Sequence, residues 1–122
     1  MIGVDIVVID RIEASMKKYG EKFLTRFLNS QEITLVKKAQ TVAGFWAAKE
    51  AVAKALGTGI GSELSFHDIL IQKDKRGVPS FTLSSRIIER YNIISTSLSI
   101  AHDGGFAIAV VAIEVSPSSN KM

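Results

Sequence analysis

Glu50 and Lys54 lie four residues apart in an alanine-rich segment and are the first candidates for chemistry in this sequence. At ~100° per residue, a helix places both on one side, with Trp46 one turn before them. A carboxylate beside an ammonium suits the binding of a metal-bound phosphate. The same spacing also gives solvated helix ion pairs worth only ~0.3–0.5 kcal/mol, so this pair alone does not define a site.

A second carboxylate, Asp5, interrupts the apolar run at residues 1–9. Apolar residues face both sides of this segment, which predicts a buried strand. Burying an unpaired carboxylate costs several kcal/mol, so Asp5 requires a cation or hydrogen-bond donors. Two interpretations stay open: a strand-end Asp held by backbone donors, or a metal ligand. Because carboxylate oxygens are hard ligands, a site built from Asp5 and Glu50 favours Mg²⁺ over zinc or copper.

The elements that must position these residues follow from the apolar periodicity. A long helix is predicted at about 41–56, with Phe45, Val52 and Leu56 on its packed side and Gly57 as its stop. Asp10 is predicted to cap the first of three shorter helices. The other predicted elements are helices to residue 19, at 21–28 and at 32–39, strands at 64–73, 78–83, 94–102 and 106–115, and a helix from Ser84 or Ser85 to residue 91.

This pattern predicts the α+β class, with a mostly antiparallel sheet packed against one long helix and additional short helices after the first strand. At 122 residues, the chain is long enough for one core without disulfides. We expect a single domain at residues 1–115 and a disordered polar tail at 116–122.

The glycine-rich segment at 57–62 invites comparison with loops that cradle phosphates. It differs from a dinucleotide-binding fingerprint because Ser62 stands where a third glycine is required and because the loop follows a helix. The segment therefore predicts a flexible turn, with ligand contacts from the backbone at Gly57 as the alternative.

Composition restricts the partners. The 15 basic and 12 acidic side chains give a formal charge of +3, which favours an anionic partner. The basic residues are scattered with few aromatics among them, which argues against nucleic acid. The chain has no Cys, so thiol catalysis and Cys-ligated zinc are excluded. The N-terminal apolar run is far shorter than a span of ~20 residues and carries no basic leader. We expect a cytoplasmic protein with no membrane or nucleic-acid partner.

Three sequence blocks resemble the acyl-carrier-protein synthase family of small bacterial phosphopantetheinyl transferases. The blocks are Gly-Val-Asp-Ile-Val at 3–7 followed by Arg-Ile at 11–12, Ala-Ala-Lys-Glu-Ala at 47–51 with Lys-Ala-Leu-Gly-Thr-Gly-Ile-Gly at 54–61, and Ser-Leu-Ser-Ile-Ala-His at 97–102. Their order and spacing match the family from residue 1 to about residue 115. The resemblance implies the 4'-phosphopantetheinyl transferase fold.

The activity that the resemblance implies is transfer of 4'-phosphopantetheine from coenzyme A to a serine of acyl carrier protein, with release of adenosine 3',5'-bisphosphate. In that reaction Asp5 and Glu50 hold Mg²⁺, and Glu50 or a metal-bound water accepts the serine proton. Lys54 neutralises charge on the leaving bisphosphate. The alternatives are a non-catalytic module that binds coenzyme A or a nucleotide, and a small RNA-binding protein.

The resemblance also assigns contacts to coenzyme A. His102 matches the histidine of the family's Ser-x-x-His segment and is expected at a phosphate, the alternative being an ordinary polar residue at a strand end. Many family members carry Arg and then Phe where this chain has Phe45 and Trp46. A cation is therefore missing, and the candidates to replace it are Lys49, Lys73 and Arg76.

The resemblance also implies contacts with acyl carrier protein and with other copies of the chain. Acyl carrier proteins are acidic, and the family docks them on its first helix, which makes Arg11, Lys18 and Lys22 the candidate docking stripe; a solvated helix face is the alternative. The resemblance further implies a homotrimer with active sites between subunits. Asp5 and Glu50 come from one chain and part of the coenzyme A pocket comes from the next.

Overall fold

The computed structural model describes residues 1–117 and confirms the α+β architecture. Its elements in chain order are β1 (Ile2–Val8), α1 (Ile9–Tyr19), α2 (Glu21–Phe27), α3 (Ser30–Ile33), α4 (Ala39–Leu56), a 3-10 helix (Phe66–Asp68), β2 (Ile69–Lys73), β3 (Pro79–Leu83), α5 (Ser85–Tyr91), β4 (Ile93–Asp103) and β5 (Phe106–Val115). Residues 118–122 of the predicted tail lie outside the described residues. The Ser116 N–H donates to the Asn92 carbonyl.

Two separate sheets make up the β part of the described residues. Strands β1, β5 and β4 pair antiparallel in that order, and β2 and β3 form a two-stranded hairpin. The register of the larger sheet places Asp5 opposite Ala109, which lies opposite Ile100. The first strand of the chain therefore lies at an edge, next to the last strand.

Helix α4 packs across one face of the larger sheet and carries most of the core. Twelve of its 18 residues are buried, as expected of a helix that is apolar almost all round. The small alanine side chains of α4 allow the sheet to pack close to the helix axis. A Cβ on Gly3 of β1 would lie 1.9 Å from the Ala51 carbonyl oxygen and 2.7 Å from the Ala55 nitrogen. Gly3 is thus what allows β1 to lie against α4.

The first strand is not buried on both faces, so that prediction was wrong. Gly3 faces α4, whereas Ile2, Val4 and Ile6 on the opposite face are 70%, 54% and 57% exposed. A strand with apolar residues on both faces has the sequence pattern of a buried strand. In β1, however, only one of the two faces is covered within this chain.

Several helices and strands begin or end at residues other than those predicted from the sequence. Helix α1 begins at Ile9 after Val8, so Asp10 lies in its first turn and is not its cap. Helix α3 occupies Ser30–Ile33 in place of 32–39. The strand predicted at 64–73 is confined to Ile69–Lys73, because the 3-10 helix with Ser65 as its N-cap takes the residues before it. Gly57 ends α4 in the left-handed conformation (φ 73°), as predicted.

Candidate active site

Asp5 is half-buried on β1, and its carboxylate is held by a lysine. The Lys54 Nζ donates to Asp5 Oδ1 at 2.8 Å. The side chain of Asp5 is 14% exposed, whereas that of Lys54 is 57% exposed. The carboxylate of Asp5 is therefore paired with a cation on α4. Among the described residues, it is not held by backbone N–H donors, which was one of the two interpretations of the sequence. The ion pair joins the first strand to the helix that carries Glu50.

Glu50 lies one helical turn before Lys54, close enough to Asp5 to be affected by its charge. Burial raises the pKa of the Glu50 carboxyl, the negative charge of Asp5 raises it further, and the positive charge of Lys54 partly offsets both effects. A carboxyl whose pKa is raised by burial and by a neighbouring carboxylate lies at a site that favours a cation. The two acids are 45 residues apart in the sequence, and the packing of β1 on α4 brings them together.

The donor set of this cluster suits one kind of metal. Among the described residues, no group of three or more His, Cys, Asp or Glu side chains could enclose a metal ion. Two carboxylates alone fit Mg²⁺, which keeps several waters and takes further ligands from substrate phosphates. Asp5 and Glu50 therefore fit Mg²⁺ in the company of a phosphorylated substrate, and they do not form a closed protein cage.

A pocket of about 150 Å³ lies nearer the start of α4. It is bounded by α4, by the β2–β3 hairpin and by β4, and its lining residues are Thr41, Gly44, Phe45, Lys73, Gly77, Pro79, Ile100 and His102. The Lys73 Nζ lies 5.6 Å from the centre of the Phe45 ring. The structure thus brings Lys73, one of the three candidate cations, and His102 to the same pocket. Arg76 is not among the lining residues.

Comparison with known proteins identifies the family. A family model described as the 4'-phosphopantetheinyl transferase superfamily matches residues 1–111. The chain belongs to the 4'-phosphopantetheinyl transferase superfamily. A holo-[acyl-carrier-protein] synthase of Sulfurovum sp. (strain NBC37-1) is 58% identical over 113 residues, which cover 93% of this chain and 95% of that protein.

Solved structures of this superfamily are also similar. The crystal structure of Helicobacter pylori holo-[acyl-carrier-protein] synthase in complex with coenzyme A has a TM-score of 0.91 and 53% identity, covering 93% of this chain and 100% of that one. A holo-(acyl-carrier-protein) synthase from Bacillus anthracis, in complex with CoA (3',5'-ADP), has a TM-score of 0.79 and 40% identity, covering 94% and 96%. The agreement in fold extends over nearly the whole chain.

Lys49, although part of the family's Ala-Ala-Lys-Glu block, does not reach the surface. Its side chain is 0% exposed and forms an ion pair of 2.8 Å with Glu32. Its ammonium also donates to the carbonyls of Phe27 and Phe66. The prediction that Lys49 contacts coenzyme A is therefore wrong: α4 turns this residue toward the α2–α3 corner, and its hydrogen-bonding capacity is used there.

The glycine-rich turn after α4 borders a shallow polar cleft. The Gly57 N–H donates to the Lys54 carbonyl at 3.1 Å, so this donor is used at the helix end. The cleft is lined by Gly57, Thr58, Gly61, Ser62 and Glu63. The turn is present as predicted, and the ligand contact at Gly57 stays a prediction.

A basic groove lies between α1 and α2. Its lining residues are Ser15, Tyr19, Lys22, Phe23, Arg26 and Trp46, and its volume is about 440 Å³. Trp46 stacks on Phe23 with ring centres 5.9 Å apart. Arg26 lines this groove together with Lys22. The sequence analysis did not predict a role for Arg26. The four-residue spacing of these two cations was the available signal.

The other two residues of the predicted stripe also reach solvent. Arg11 and Lys18 are exposed on α1. The Lys18 Nζ lies 5.3 Å from the centre of the Tyr19 ring, beside the groove. Cations from both helices therefore surround one concave surface with an apolar floor.

Proposed function

We propose that this chain is an enzyme that transfers 4'-phosphopantetheine from coenzyme A to a serine of acyl carrier protein, releasing adenosine 3',5'-bisphosphate. The observation that carries the proposal is the cluster of Asp5, Glu50 and Lys54, which places two carboxylates and a cation at the contact of β1 with α4. Family membership and the coenzyme A complex of the Helicobacter pylori relative support it.

The chemistry is a phosphoryl transfer. The serine oxygen forms a bond to the phosphorus that carries pantetheine, the anhydride bond to the other phosphate breaks, and the bisphosphate leaves with the electron pair. Glu50 lies in the cluster and accepts the serine proton as the general base. Lys54 stabilises charge on the leaving group. Positioning and charge stabilisation supply most of the rate in such reactions.

Mg²⁺ would be held by Asp5 and Glu50. When bound, it neutralises charge on the diphosphate of coenzyme A and orients it. Asp5 has a second role in the chain's own chemistry, because its ion pair with Lys54 fixes the ammonium beside the cluster.

The decisive test is a mass measurement on purified acyl carrier protein incubated with this chain, coenzyme A and Mg²⁺. We expect a gain equal to one phosphopantetheine group. Binding of coenzyme A without any mass gain would favour the non-catalytic module. Tight RNA binding without either would favour the third class.

The pocket lined by Lys73 and His102 is the proposed site of the remaining phosphate of coenzyme A. The diphosphate contains the bond that breaks, so it must lie at the Asp5–Glu50 cluster, and the 3'-phosphate requires a cation elsewhere. Lys73 is exposed, lies against Phe45 and borders the same pocket as His102. In a homotrimer this pocket would serve the active site of the neighbouring subunit.

His102→Ala is expected to raise the Michaelis constant for coenzyme A about 10-fold while turnover changes less, because a hydrogen bond to a charged phosphate is lost in ground state and transition state alike. Steady-state kinetics with coenzyme A and dephospho-coenzyme A measure this, since the variant, which keeps Lys73, should distinguish them less strongly than the natural chain does. A variant with unchanged affinity and much slower turnover would place His102 in the chemistry instead.

The basic groove is the proposed docking surface for acyl carrier protein, with Arg11, Lys18 and Lys22 as predicted contacts and Arg26 added by the structure. Association should slow at least about 10-fold as salt rises from low to high concentration, because opposite charges are screened within ~10 Å at 0.1 M. Stopped-flow mixing measures the rate. Lys22→Gln should flatten the salt dependence, and Lys37→Gln, an exposed cation ahead of α4, should not.

We also propose the homotrimer, with the uncovered face of the larger sheet as the subunit interface. On this face Val4 of β1 lies opposite Val110 of β5 and Ile6 lies diagonal to Phe106, and these apolar side chains are 41–57% exposed. Contiguous apolar surface of this kind marks protein contacts. Sedimentation should show a trimer for the natural chain and a smaller species for Val4→Lys. Val78→Lys, on the β2–β3 hairpin, should leave the trimer intact.

The remaining proposals concern extent and location. We propose that residues 1–115 form one transferase domain, since α4 packs on both the first and the last strand of this range. Among the described residues, no helix has the length and apolarity to cross a bilayer. We propose a cytoplasmic location because both proposed substrates are found there in bacteria.

A further inference from the structure

The buried Lys49 ammonium joins three parts of the chain to helix α4. It donates to the Phe27 carbonyl at the end of α2 (2.8 Å), to Glu32 Oε1 on α3 (2.8 Å) and to the Phe66 carbonyl in the 3-10 helix (3.0 Å). These three hydrogen bonds use the three protons that an ammonium carries. Lys49 is not part of the transfer chemistry, so its complete engagement requires another explanation.

Glu32 extends the same network to the β2–β3 hairpin. Its Oε2 accepts from the Ile71 N–H of β2 at 2.7 Å, and its Oε1 accepts from the Asn29 N–H at 2.7 Å. Strand β2 pairs with β3 on one side only, so the Ile71 N–H would otherwise be an unpaired edge donor. The carboxylate takes the place of a neighbouring strand along that edge.

The hairpin held in this way forms one wall of the proposed phosphate pocket. Lys73 lies two residues after Ile71 on the same strand and borders the pocket opposite α4. The hairpin does not pair with the larger sheet in the described residues. Its other side is joined to β4 by the Thr96 hydroxyl, which donates to the Phe81 carbonyl at 3.2 Å. In the part of the chain that the structure describes, the Lys49–Glu32 pair is the ion pair that connects α4 to β2, through the Ile71 N–H.

Stability alone is a poor explanation for this pair. A buried ion pair loses so much hydration that well-packed apolar residues in its place are often as stable or more so. Burial lowers the pKa of Lys49, and the hydrogen bond and charge of Glu32 oppose that shift. What the pair does supply is geometry, since each bond fixes one element relative to α4.

We propose that the Lys49–Glu32 ion pair positions strand β2 against α4 and thereby places Lys73 in the pocket for the coenzyme A 3'-phosphate. Both are positioning residues that act through Lys73 and touch no substrate. The inference rests on the proposed function, in which Lys73 contacts that phosphate.

The test compares the dissociation constants of coenzyme A and dephospho-coenzyme A by calorimetry on the full chain. Lys73→Ala should remove an approximately 10-fold preference for coenzyme A, the scale of a lost hydrogen bond to a charged group. Glu32→Gln should remove most of the same preference, because the carboxylate that holds β2 is gone. Adding Lys73→Ala to Glu32→Gln should cause little further loss, as expected for residues that act in series.

Ile12→Ala is the matched control, because it removes a buried side chain from α1, away from the hairpin, and also costs stability. A general loss of stability would affect both variants, whereas only Glu32→Gln should lose the preference. If Glu32→Gln keeps the preference, or if Ile12→Ala loses it equally, the inference is overturned and the proposed function is unaffected.

Failure of the natural chain to transfer phosphopantetheine and failure of Glu32→Gln to fold can each be distinguished from failure of this inference. If the natural chain transfers no phosphopantetheine, the proposed function fails, while the binding ratios still test the role of the pair. If Glu32→Gln does not fold, hydrogen exchange of the natural chain decides. Exchange of the Ile71 amide only through global unfolding supports a fixed hairpin, and exchange through local opening overturns the proposal.

Discussion

Replacing Asp5 by Asn is expected to lower the rate of phosphopantetheine transfer about 10² to 10³-fold, the scale seen when one preorganised electrostatic contact is removed. The amide keeps the size of the side chain but weakens its affinity for Mg²⁺ and ends its ion pair with Lys54. Initial rates measured over a range of Mg²⁺ concentrations should show a higher Mg²⁺ requirement. Chelation of the metal should stop the natural enzyme.

The fold should tolerate this change. Lys54 is largely exposed, and pairs of this kind contribute at most about 1 kcal/mol. Asp10→Asn, on the exposed first turn of α1, is the matched control and should keep natural activity. Natural turnover and Mg²⁺ dependence in Asp5→Asn would exclude Asp5 from the site.

Replacing Gly3 by Ala should lower the free energy of unfolding by about 3 kcal/mol or more, at the upper end of what an overpacked core costs. The new Cβ would lie 1.9 Å from the Ala51 carbonyl oxygen, which belongs to the backbone of α4 and cannot rotate away. Strand and helix would have to separate. Thermal unfolding should shift down by about 10 °C, and activity should fall because the same contact brings Asp5 to Glu50.

Gly61→Ala is the control for that measurement. A Cβ at Gly61 meets nothing within 4 Å and the residue does not have a positive φ, so stability should stay the same or rise by up to about 1 kcal/mol. Equal stabilities for the two variants would show that the approach of β1 to α4 is not tight in solution.

The elements that were predicted correctly are those whose signals are local. Helix α4 was found because its apolar residues recur at helical spacing and Gly57 ends it. Strand β5 was found because residues 106–113 form an unbroken apolar run after a glycine turn. The errors arose where a distant contact decides. Residues 64–68 have a strand-like pattern, but Asp68 accepts from the Ser65 N–H and the Ser84 hydroxyl, which stabilises a 3-10 turn.

The residues of the candidate site likewise fall into those predicted from local sequence signals and those that depend on distant contacts. Asp5, Glu50 and Lys54 were recognised from residue type, spacing and the family blocks, and the structure brings all three together. Lys49 was misassigned when it was named among the cations that could replace the missing arginine. A helix turns adjacent residues by ~100°, so Lys49 does not share the direction of Glu50. Its burial depends on Glu32, 17 residues away. Arg26 was missed because its groove needs α1, α2 and Trp46 together.

The sequence by itself determined the fold class, the family and the acids and lysine that we propose for the reaction, because periodicity and motif spacing are properties of neighbouring residues. Only the tertiary structure decided which cations remain available to a ligand. It buried Lys49 in an ion pair and brought Lys73 over Phe45 beside His102. The reason is physical: whether a charge is desolvated or free depends on segments that the chain folds against it, and their distance in sequence carries no information about that contact.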